Sequence, residues 1–572
     1  MPNWILKSLS EEEKNYVNKL SVELGISPVL SKLLVLRNVL TFDDAKKFFR
    51  PSLDDLPSPF LMKDMDKAVS RLHRAIQNNE KILIYGDYDV DGTTAVSSMY
   101  LFLQNFVSEK NLDYYIPDRF SEGYGVSFKG VEFAKENGFQ LMIILDCGIK
   151  DAEKINYAQS LGIDCIVCDH HLPSENLPDA YAVLNPKRKD CNYPFKELTG
   201  CGIGLKLMQG YCNQLQLNNN YYLERLDLVA TSIASDIVPI VDENRVLVYY
   251  GLKKINENPS VGLKKLLDIA YSKKDRKIKV SDLVFVIGPR INAAGRLEHG
   301  SNAVQLLTSK NEADAEIWAK QLQETNSQRQ DLDKQTLEEA LQLLEGDREF
   351  QKKKTTVVFK ETWNKGVVGI VAAKLVEKYY RPTIVLTEHN GYITGSARSV
   401  DGFDVYEALS YCKNYLHQFG GHKYAAGLSI EKHHLDIFIE TFEKKVCELI
   451  TDEQLVRKIE VDSELNLDEI TPKFLRILKQ FEPHGPSNMT PLFWIKNVKD
   501  SGRMHEVGNG HLKLNLIQNN HKEHPAIFYN GIEYFEQLKH QTFDILCKID
   551  ISEISDNNNI TYTLNIQDIQ IK

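Results

Sequence analysis

The chain has 572 residues, a hydrophobic fraction of 42%, a charged fraction of 26% and a formal net charge of −10. That is the balance of a globular protein with room for roughly two to four cores. It excludes a disordered chain and a uniformly basic nucleic-acid coat, though not a locally basic cleft. Nine cysteines, an odd number scattered along the chain, favour a reducing cytoplasm over a disulfide framework.

The opening, MPNWILKSLSEEEK, has no basic segment followed by an apolar stretch, which predicts a chain that is not exported. The longest apolar runs, such as LMIIL at 141–145, fall far short of a bilayer span, so no membrane is expected. Residues 1–80 read as mostly helical and carry no obvious chemistry. A repeated pattern follows. KILIYG (81–86), LMIILD (141–146) and CIVCD (165–169) are short β-rich runs, each ending at or just before an aspartate. Helical stretches such as TTAVSSMYLFLQNF (93–106) and AEKINYAQSLG (152–162) lie between them. Strand, helix and strand at this spacing predict a parallel sheet, in which ligands bind at the carboxyl ends of the strands. CIVC has the spacing of a zinc half-site, but no second Cys or His pair follows, and it reads as a buried strand.

From 311 to 345 the chain has no Gly or Pro and apolar residues at helical spacing. As one helix it would be about 50 Å long. A second α/β pattern follows, with TTVVF (355–359) and PTIVLT (382–387) as strands around the helical GIVAAKLVEKYY. After about 455 the runs HLKLNLI, PAIFYN, TFDILCKIDI and ITYTLNIQDI alternate between apolar and polar residues, as in a small β-barrel.

The chemistry concentrates in acidic residues. DYDVDG places Asp87, Asp89 and Asp91 at every second position directly after a strand. Three carboxylates that close repel one another unless a cation sits among them. Asp146 in DCG, the DHH run at 169–171 and Asp236 in SDIVP fall at other predicted strand or helix ends. Each piece alone also reads as a calcium-loop half, a helix cap or an ordinary turn. Together they form a set of carboxylates with imidazole and no cysteine, which suits Mn²⁺ or Mg²⁺. Two such ions clamp the attacking and leaving oxygens of a phosphate displacement. Asp146, alone at a central strand end, is the natural bridging carboxylate.

In this order, DYDVDG, DCG, DHH and SDIVP resemble the four motifs of the DHH phosphoesterase superfamily. With GPRINAAGR (288–296) and GGHKYAAG (420–427) the chain is similar to the long bacterial members of that superfamily, which are single-strand-specific exonucleases. The resemblance implies an α/β multidomain fold. An N-terminal helical segment (1–80) precedes a parallel-sheet DHH domain (81–310). A long connecting helix (311–350) leads to an α/β DHHA1 domain (351–452) and an OB-fold-like barrel (453–572). It also implies 5′→3′ hydrolysis of single-stranded DNA to 5′-mononucleotides, in DNA repair and recombination, by a cytoplasmic bacterial monomer. A single-strand-binding protein and a RecQ-type helicase are the implied partners. Shorter relatives act on small phosphoesters and others are non-catalytic replication scaffolds. The long helix and extra β segment argue against the first, and the retained aspartates and His170 against the second.

Carried onto this sequence, Asp89, Asp91, Asp146, His170 and Asp236 match the ligands of a two-metal centre, and Asp87 matches a further motif aspartate. Tyr85 stands where some relatives have histidine. His171 becomes a catalytic or orienting group beside the metals. Arg290, Asn292 and Arg296 would line the path of the DNA backbone. Arg119, Ser396 and Arg398 would grip the 5′-terminal phosphate. Gly420, Gly421 and His422 would present backbone N–H groups to a phosphate from a glycine-rich turn that opens a helix. Asn364 replaces a histidine that the family tends to have. Phe528 and Tyr529 would either stack bases or belong to the barrel core.

Overall fold

The parallel sheet runs in the order β2-β1-β3-β4-β5, where β1 is Ile82–Gly86, β2 Leu112–Tyr115, β3 Leu141–Leu145, β4 Asp164–Cys168 and β5 Ala182–Leu184. In this computed structural model, residues 2–271, 276–519, 522–554 and 560–571 are described. Both β1 and β3 are buried at every position, as continuous apolar runs in a parallel sheet covered on both faces must be. The CIVC run is the buried body of β4. From β1 the chain moves outward to β2, then returns to the other side of β1 for β3. The strand order therefore reverses between β1 and β3, which is where an open α/β sheet forms its binding crevice.

The chain divides into two compact units. One comprises Trp4–Gly288, Val304–Ala315 and Glu460–Lys572, and the other Met1–Asn3, Pro289–Ala303 and Glu316–Ile459. In the first unit, the N-terminal helices Glu11–Leu24, Pro28–Val35 and Phe42–Phe49 share one apolar core with the C-terminal barrel, joining Leu20, Leu33 and Phe48 to Phe481, Phe493 and Phe543. Arg245, 3% exposed, fastens the helix Asp242–Glu257 to this core. Its guanidinium donates to the carbonyls of Phe48, Gln480, Phe481, Glu482 and Pro483 and lies 3.9 Å from the Phe48 ring centroid. Sequence pattern alone shows these helices as a separate leading segment; their partner lies some 400 residues away and has no local signal.

The barrel strands are β11 (Ser463–Glu464), β12 (Phe493–Asp500), β13 (His505–Val507), β14 (His511–Ile517), β15 (His524–Phe528), β16 (Phe543–Ile554) and β17 (Ile560–Ile571). Their order is β11-β12-β16-β17-β15-β14-β13, and a further pairing of β12 with β14 closes the ring. Closure removes the exposed sheet edges. Phe528 points into the core at 9% exposure, whereas Tyr529 is 51% exposed.

The helix Glu312–Gly346 runs for 35 residues, and its Glu316–Gly346 part belongs to the second unit. Glu339 on it accepts from Lys360 Nζ and Trp363 Nε1, both at 2.8 Å, and Asp333 from Lys374 Nζ at 2.7 Å. The sheet of this unit is β9-β10-β8-β7-β6, with β6 at Thr356–Phe359, β7 at Thr383–His389, β8 at Tyr392–Arg398, β9 at Leu416–His422 and β10 at Ala425–Ile430. The glycine-rich segment departs from the expected turn that opens a helix. Gly420, Gly421 and His422 end the edge strand β9, paired with Gly427, Ala426 and Ala425 of β10 in a hairpin. A Cβ on Gly421 would lie 2.4 Å from the Ala425 carbonyl oxygen, so glycine here permits close approach of two strands.

Candidate metal centre

Strand register assembles the site. Gly86 of β1 pairs with Leu145 of β3, and Leu145 with Cys168 of β4. The next residues, Asp87, Asp146 and Asp169, thus stand side by side at one edge of the sheet, on strands about 4.8 Å apart. Asp89 caps the helix Val90–Leu103, accepting from Gly92 N at 3.1 Å, and Asp91 lies in its first turn. Asp236 is the C-cap of the helix Leu226–Ser235. The helix-terminus reading of Asp236 therefore holds, and the same position carries its carboxylate into the acidic cluster.

Ligand atoms of Asp87, Asp89 and Asp146 lie within 4.8 Å of one another, as do those of Asp91, His170 and Asp236, and those of Asp146, His170 and His171. His170 Nε2 is 3.2 Å from Asp146 Oδ1, 3.6 Å from Asp236 Oδ2 and 3.9 Å from Asp91 Oδ2. Ligands at cis positions around an octahedral Mg²⁺-sized ion are about 3 Å apart and trans ones about 4 Å. Asp146 and His170 each belong to two of the three groups, the geometry expected of residues shared between adjacent ions.

The electrostatics agree. Burial and the neighbouring Asp89 hold Asp87 well above the usual carboxylate range, burial with Asp91 does the same for Asp146, and burial with Asp91 also raises Asp89. Asp236 is pushed up to about 9 by burial and the charge of Asp91. Asp87 Oδ1, Asp146 Oδ1 and both ring nitrogens of His170 are buried and accept or donate no hydrogen bond within the chain. Buried polar groups left this way are costly unless something else binds them. A hard divalent cation pair, Mn²⁺ or Mg²⁺, satisfies the donor set of carboxylate oxygens and imidazole.

Several groups that sequence pattern does not single out hold this set in place. Asp91 accepts from Gly200 N (2.6 Å), Cys201 N (2.9 Å) and Ser232 Oγ (2.6 Å), so the N-terminus of the helix Gly200–Gln214 orients one ligand. Gly200 lies so close that a Cβ there would be 2.5 Å from Asp146 Cβ. Asp146 itself has φ of +61°, a left-handed conformation rare outside glycine. Tyr124 donates to its carbonyl oxygen at 3.0 Å and lies beside the His171 ring. The run TGCGIG and the glycine-flanked Tyr124 are the only sequence traces of these supports. The Asp169 carboxylate is engaged within the chain, accepting from Ile149 N (2.9 Å), His171 N (3.1 Å) and His171 Nδ1 (2.8 Å). Burial alone would lower the His171 pKa, but Asp169 raises it above the ordinary value.

Tyr85 faces away from the ligands. It is fully buried, donates to the Gly125 carbonyl (3.0 Å), accepts from Ser127 N (3.1 Å) and stacks on Tyr115. Arg119 lies over the Tyr88 ring at 5.0 Å, and its charge offsets part of the rise in the Asp87 pKa. The remaining candidates belong to the other unit. Arg290 donates to Gln323 Oε1 (2.8 Å) and Arg296 to the Gly366 carbonyl (3.2 Å), with Asn292 half-buried on the same helix, Gly288–Leu297. Arg398 donates to Ser396 Oγ (2.6 Å), and a Cβ on Gly369, in the first turn of the helix Val368–Tyr379, would come within 3.2 Å of both side chains. Asn364 Oδ1 accepts from Gly366 N at 2.7 Å and so fixes the turn leading into that helix. The exposed Gly420, Gly421 and His422 stand on the sheet edge described above.

Residues 81–233 match the DHH family, N-terminal domain, residues 352–448 the DHHA1 domain and residues 461–568 the RecJ OB domain. The single-stranded-DNA-specific exonuclease RecJ of Bacillus subtilis is 35% identical over 533 residues, 93% of this chain and 66% of that protein. That of Escherichia coli is 33% identical over 489 residues, 82% of this chain and 83% of its own length. The crystal structure of RecJ from Thermus thermophilus in complex with Mn²⁺ superposes with a TM-score of 0.81 at 25% identity, covering 99% of this chain and 79% of that one. The matched domains, the extent of these likenesses and a site fitted to two divalent ions lead to one conclusion: the chain belongs to the RecJ family of metal-dependent, single-stranded-DNA-specific exonucleases.

Proposed function

We propose that this chain degrades single-stranded DNA from the 5′ end, releasing 5′-mononucleotides in repair and recombination. The observation that carries the reading is the buried, unpartnered set of carboxylate and imidazole atoms at the carboxyl edge of the sheet, in a chain of this family. When bound, two divalent ions supply Lewis-acid activation of water and neutralise charge on the phosphate. The chain's own residues do the rest. Asp87, Asp89, Asp91, Asp146, His170 and Asp236 would hold the ions. His171, oriented through Nδ1 by Asp169, donates from the other side of its ring to a phosphate oxygen and steadies the developing charge. Water attacks phosphorus in line with the 3′ oxygen of the terminal nucleotide. The P–O3′ bond breaks, the nucleotide leaves with its own 5′-phosphate, and the new 5′-phosphate stays on the shortened strand.

Fixed polarity needs a grip on the 5′ end. Ser396 and Arg398, held together beside a helix N-terminus, supply a planar cation, a hydroxyl and backbone N–H groups suited to a terminal phosphate. Arg119 serves the same end from the DHH unit. Arg290, Asn292, Arg296, Gly420, Gly421 and His422 carry the DNA backbone in this reading. The chain acts as a cytoplasmic monomer, with a single-strand-binding protein and a RecQ-type helicase supplying its substrate. No described helix is long and apolar enough to cross a membrane.

The test uses a single-stranded oligonucleotide labelled at either end, with and without Mn²⁺. Mononucleotides released first from the 5′ label, only with metal and not by Asp146→Ala, are expected. Release from the 3′ label, or an Asp146→Ala protein as fast as the parent, overturns the reading.

A further inference from the structure

Ile237 occupies a conformation that its chemistry disfavours, next to the metal centre. The helix Leu226–Ser235 ends at Asp236, whose carboxylate belongs to the ligand cluster, and Ile237 follows with φ of +58°. A chain reversal at this place after a helix is usually made by glycine, because a Cβ crowds the following carbonyl and a β-branched side chain crowds it most. The turn is held by its neighbours. Asp236 N donates to the Ser232 carbonyl (2.9 Å), Asn244 Nδ2 to the Pro239 carbonyl (2.9 Å) and Ile240 N to the Pro486 carbonyl (2.9 Å). Those bonds fix the backbone that aims Asp236, and glycine would fit them with less strain.

Nor does the side chain fill a core. Ile237 is 67% exposed, whereas Val238 and Ile240 are 8% and 0% exposed. A strained, solvent-facing aliphatic group one residue after a carboxylate of the cluster is thus explained neither by the turn nor by packing. Strain retained at such a place points to function. An aliphatic surface neither ligates a cation nor hydrogen-bonds a phosphate. It can pack against the face of a base, and it does so without regard to which base is present.

We propose that Ile237 is a substrate contact, an apolar wall against which the 5′-terminal nucleobase packs while its 3′ phosphodiester lies at the metals. This inference rests on the exonuclease reading above.

The test compares the parent with Ile237→Gly and Ile237→Val. On a 5′-phosphorylated single strand, Ile237→Gly raises KM about tenfold, the equivalent of losing much of one aliphatic side chain's contact, while kcat stays within about twofold. Ile237→Val stays near the parent. On the same strand with an abasic 5′-terminal nucleotide, parent and glycine variant converge. The melting temperature of Ile237→Gly does not fall, and its Mn²⁺ affinity by calorimetry without DNA matches the parent. An unchanged KM, an equal penalty on the abasic strand, a lowered melting temperature or weakened Mn²⁺ binding overturns the proposal. A parent protein that leaves single-stranded DNA intact overturns the exonuclease reading instead.

Discussion

Adding one methyl group at Gly200 tests whether the site depends on its backbone supports as much as on its ligands. A Cβ at this position would lie 2.5 Å from Asp146 Cβ, 2.6 Å from its Cα and 2.9 Å from its amide nitrogen. All but the first are backbone atoms of a residue already held at φ of +61°, so no side-chain rotation relieves the contact. Ordinary carbon contacts start near 3.4–4 Å, and either Asp146 or the helix end must move by about 1 Å. The same helix end donates Gly200 N and Cys201 N to Asp91, so a shift there disturbs a second ligand. Displacement on this scale costs about 100-fold in turnover. Disturbing the supports of metal ligands costs about 10–100-fold in metal affinity. Overpacking costs about 1–3 kcal/mol of stability. Gly202→Ala is the control: the nearest atoms to its Cβ would be Leu198 and Thr199 side-chain atoms at 3.4–3.5 Å, so it leaves activity near the parent. Mn²⁺-dependent nucleotide release, calorimetric Mn²⁺ titration and urea melting of both variants provide the measurements. A Gly200→Ala protein with parental turnover and parental Mn²⁺ affinity would refute the claim that close packing on Asp146 sets the site.

Tyr85→Phe strands the Gly125 carbonyl and the Ser127 amide, costing about 1–3 kcal/mol in urea melting while Mn²⁺ affinity stays unchanged; a loss of metal binding would make Tyr85 a ligand after all. Mn²⁺ at 100 times its dissociation constant raises the unfolding free energy by about 2.7 kcal/mol per site. Asp146→Asn removes much of that increment yet stabilises the metal-free protein, because it relieves carboxylate crowding; a metal-free variant no more stable than its parent counts against the crowding argument. His524, fully buried in the barrel with Nδ1 hydrogen-bonded to the Tyr562 hydroxyl at 2.6 Å, has its pKa pushed down from 6.5 to about 4 by burial and by Lys522. Above pH 6.5 both states are neutral and His524 contributes no pH dependence. Below it the unfolded chain takes up a proton that the folded barrel refuses, so stability falls by about 2 kcal/mol by pH 5. His524→Gln flattens that part of the pH–stability curve, and an unchanged slope would disprove the assignment.

The amino-acid sequence by itself determined the parallel sheet and the chemistry of its edge. Uninterrupted apolar runs ending at aspartate mark buried parallel strands, and period-two alternation marks the barrel. Both signals are local, so they are read without knowing what touches what. The residues that cluster at that edge were legible for the same reason, since each sits beside the strand or helix end that its own neighbours define.

What the tertiary structure decided is everything that depends on register and distant contact. Asp169 and His170 are adjacent in sequence, yet the first is spent on Ile149 and His171 while the second faces the carboxylates. Tyr85, close in sequence to the acidic cluster, is instead held in the core by Gly125, Ser127 and the Tyr115 ring, all distant along the chain. The segment around Gly420 has the composition of a phosphate-binding turn, but pairing with Ala425–Ile430 makes it a hairpin. The N-terminal helices find their core in the barrel, and Gly200 meets Asp146 across 54 residues of chain. Composition and periodicity report which side chains a segment offers, while burial and hydrogen bonding with partners far along the chain decide which of them remain free to bind a cation.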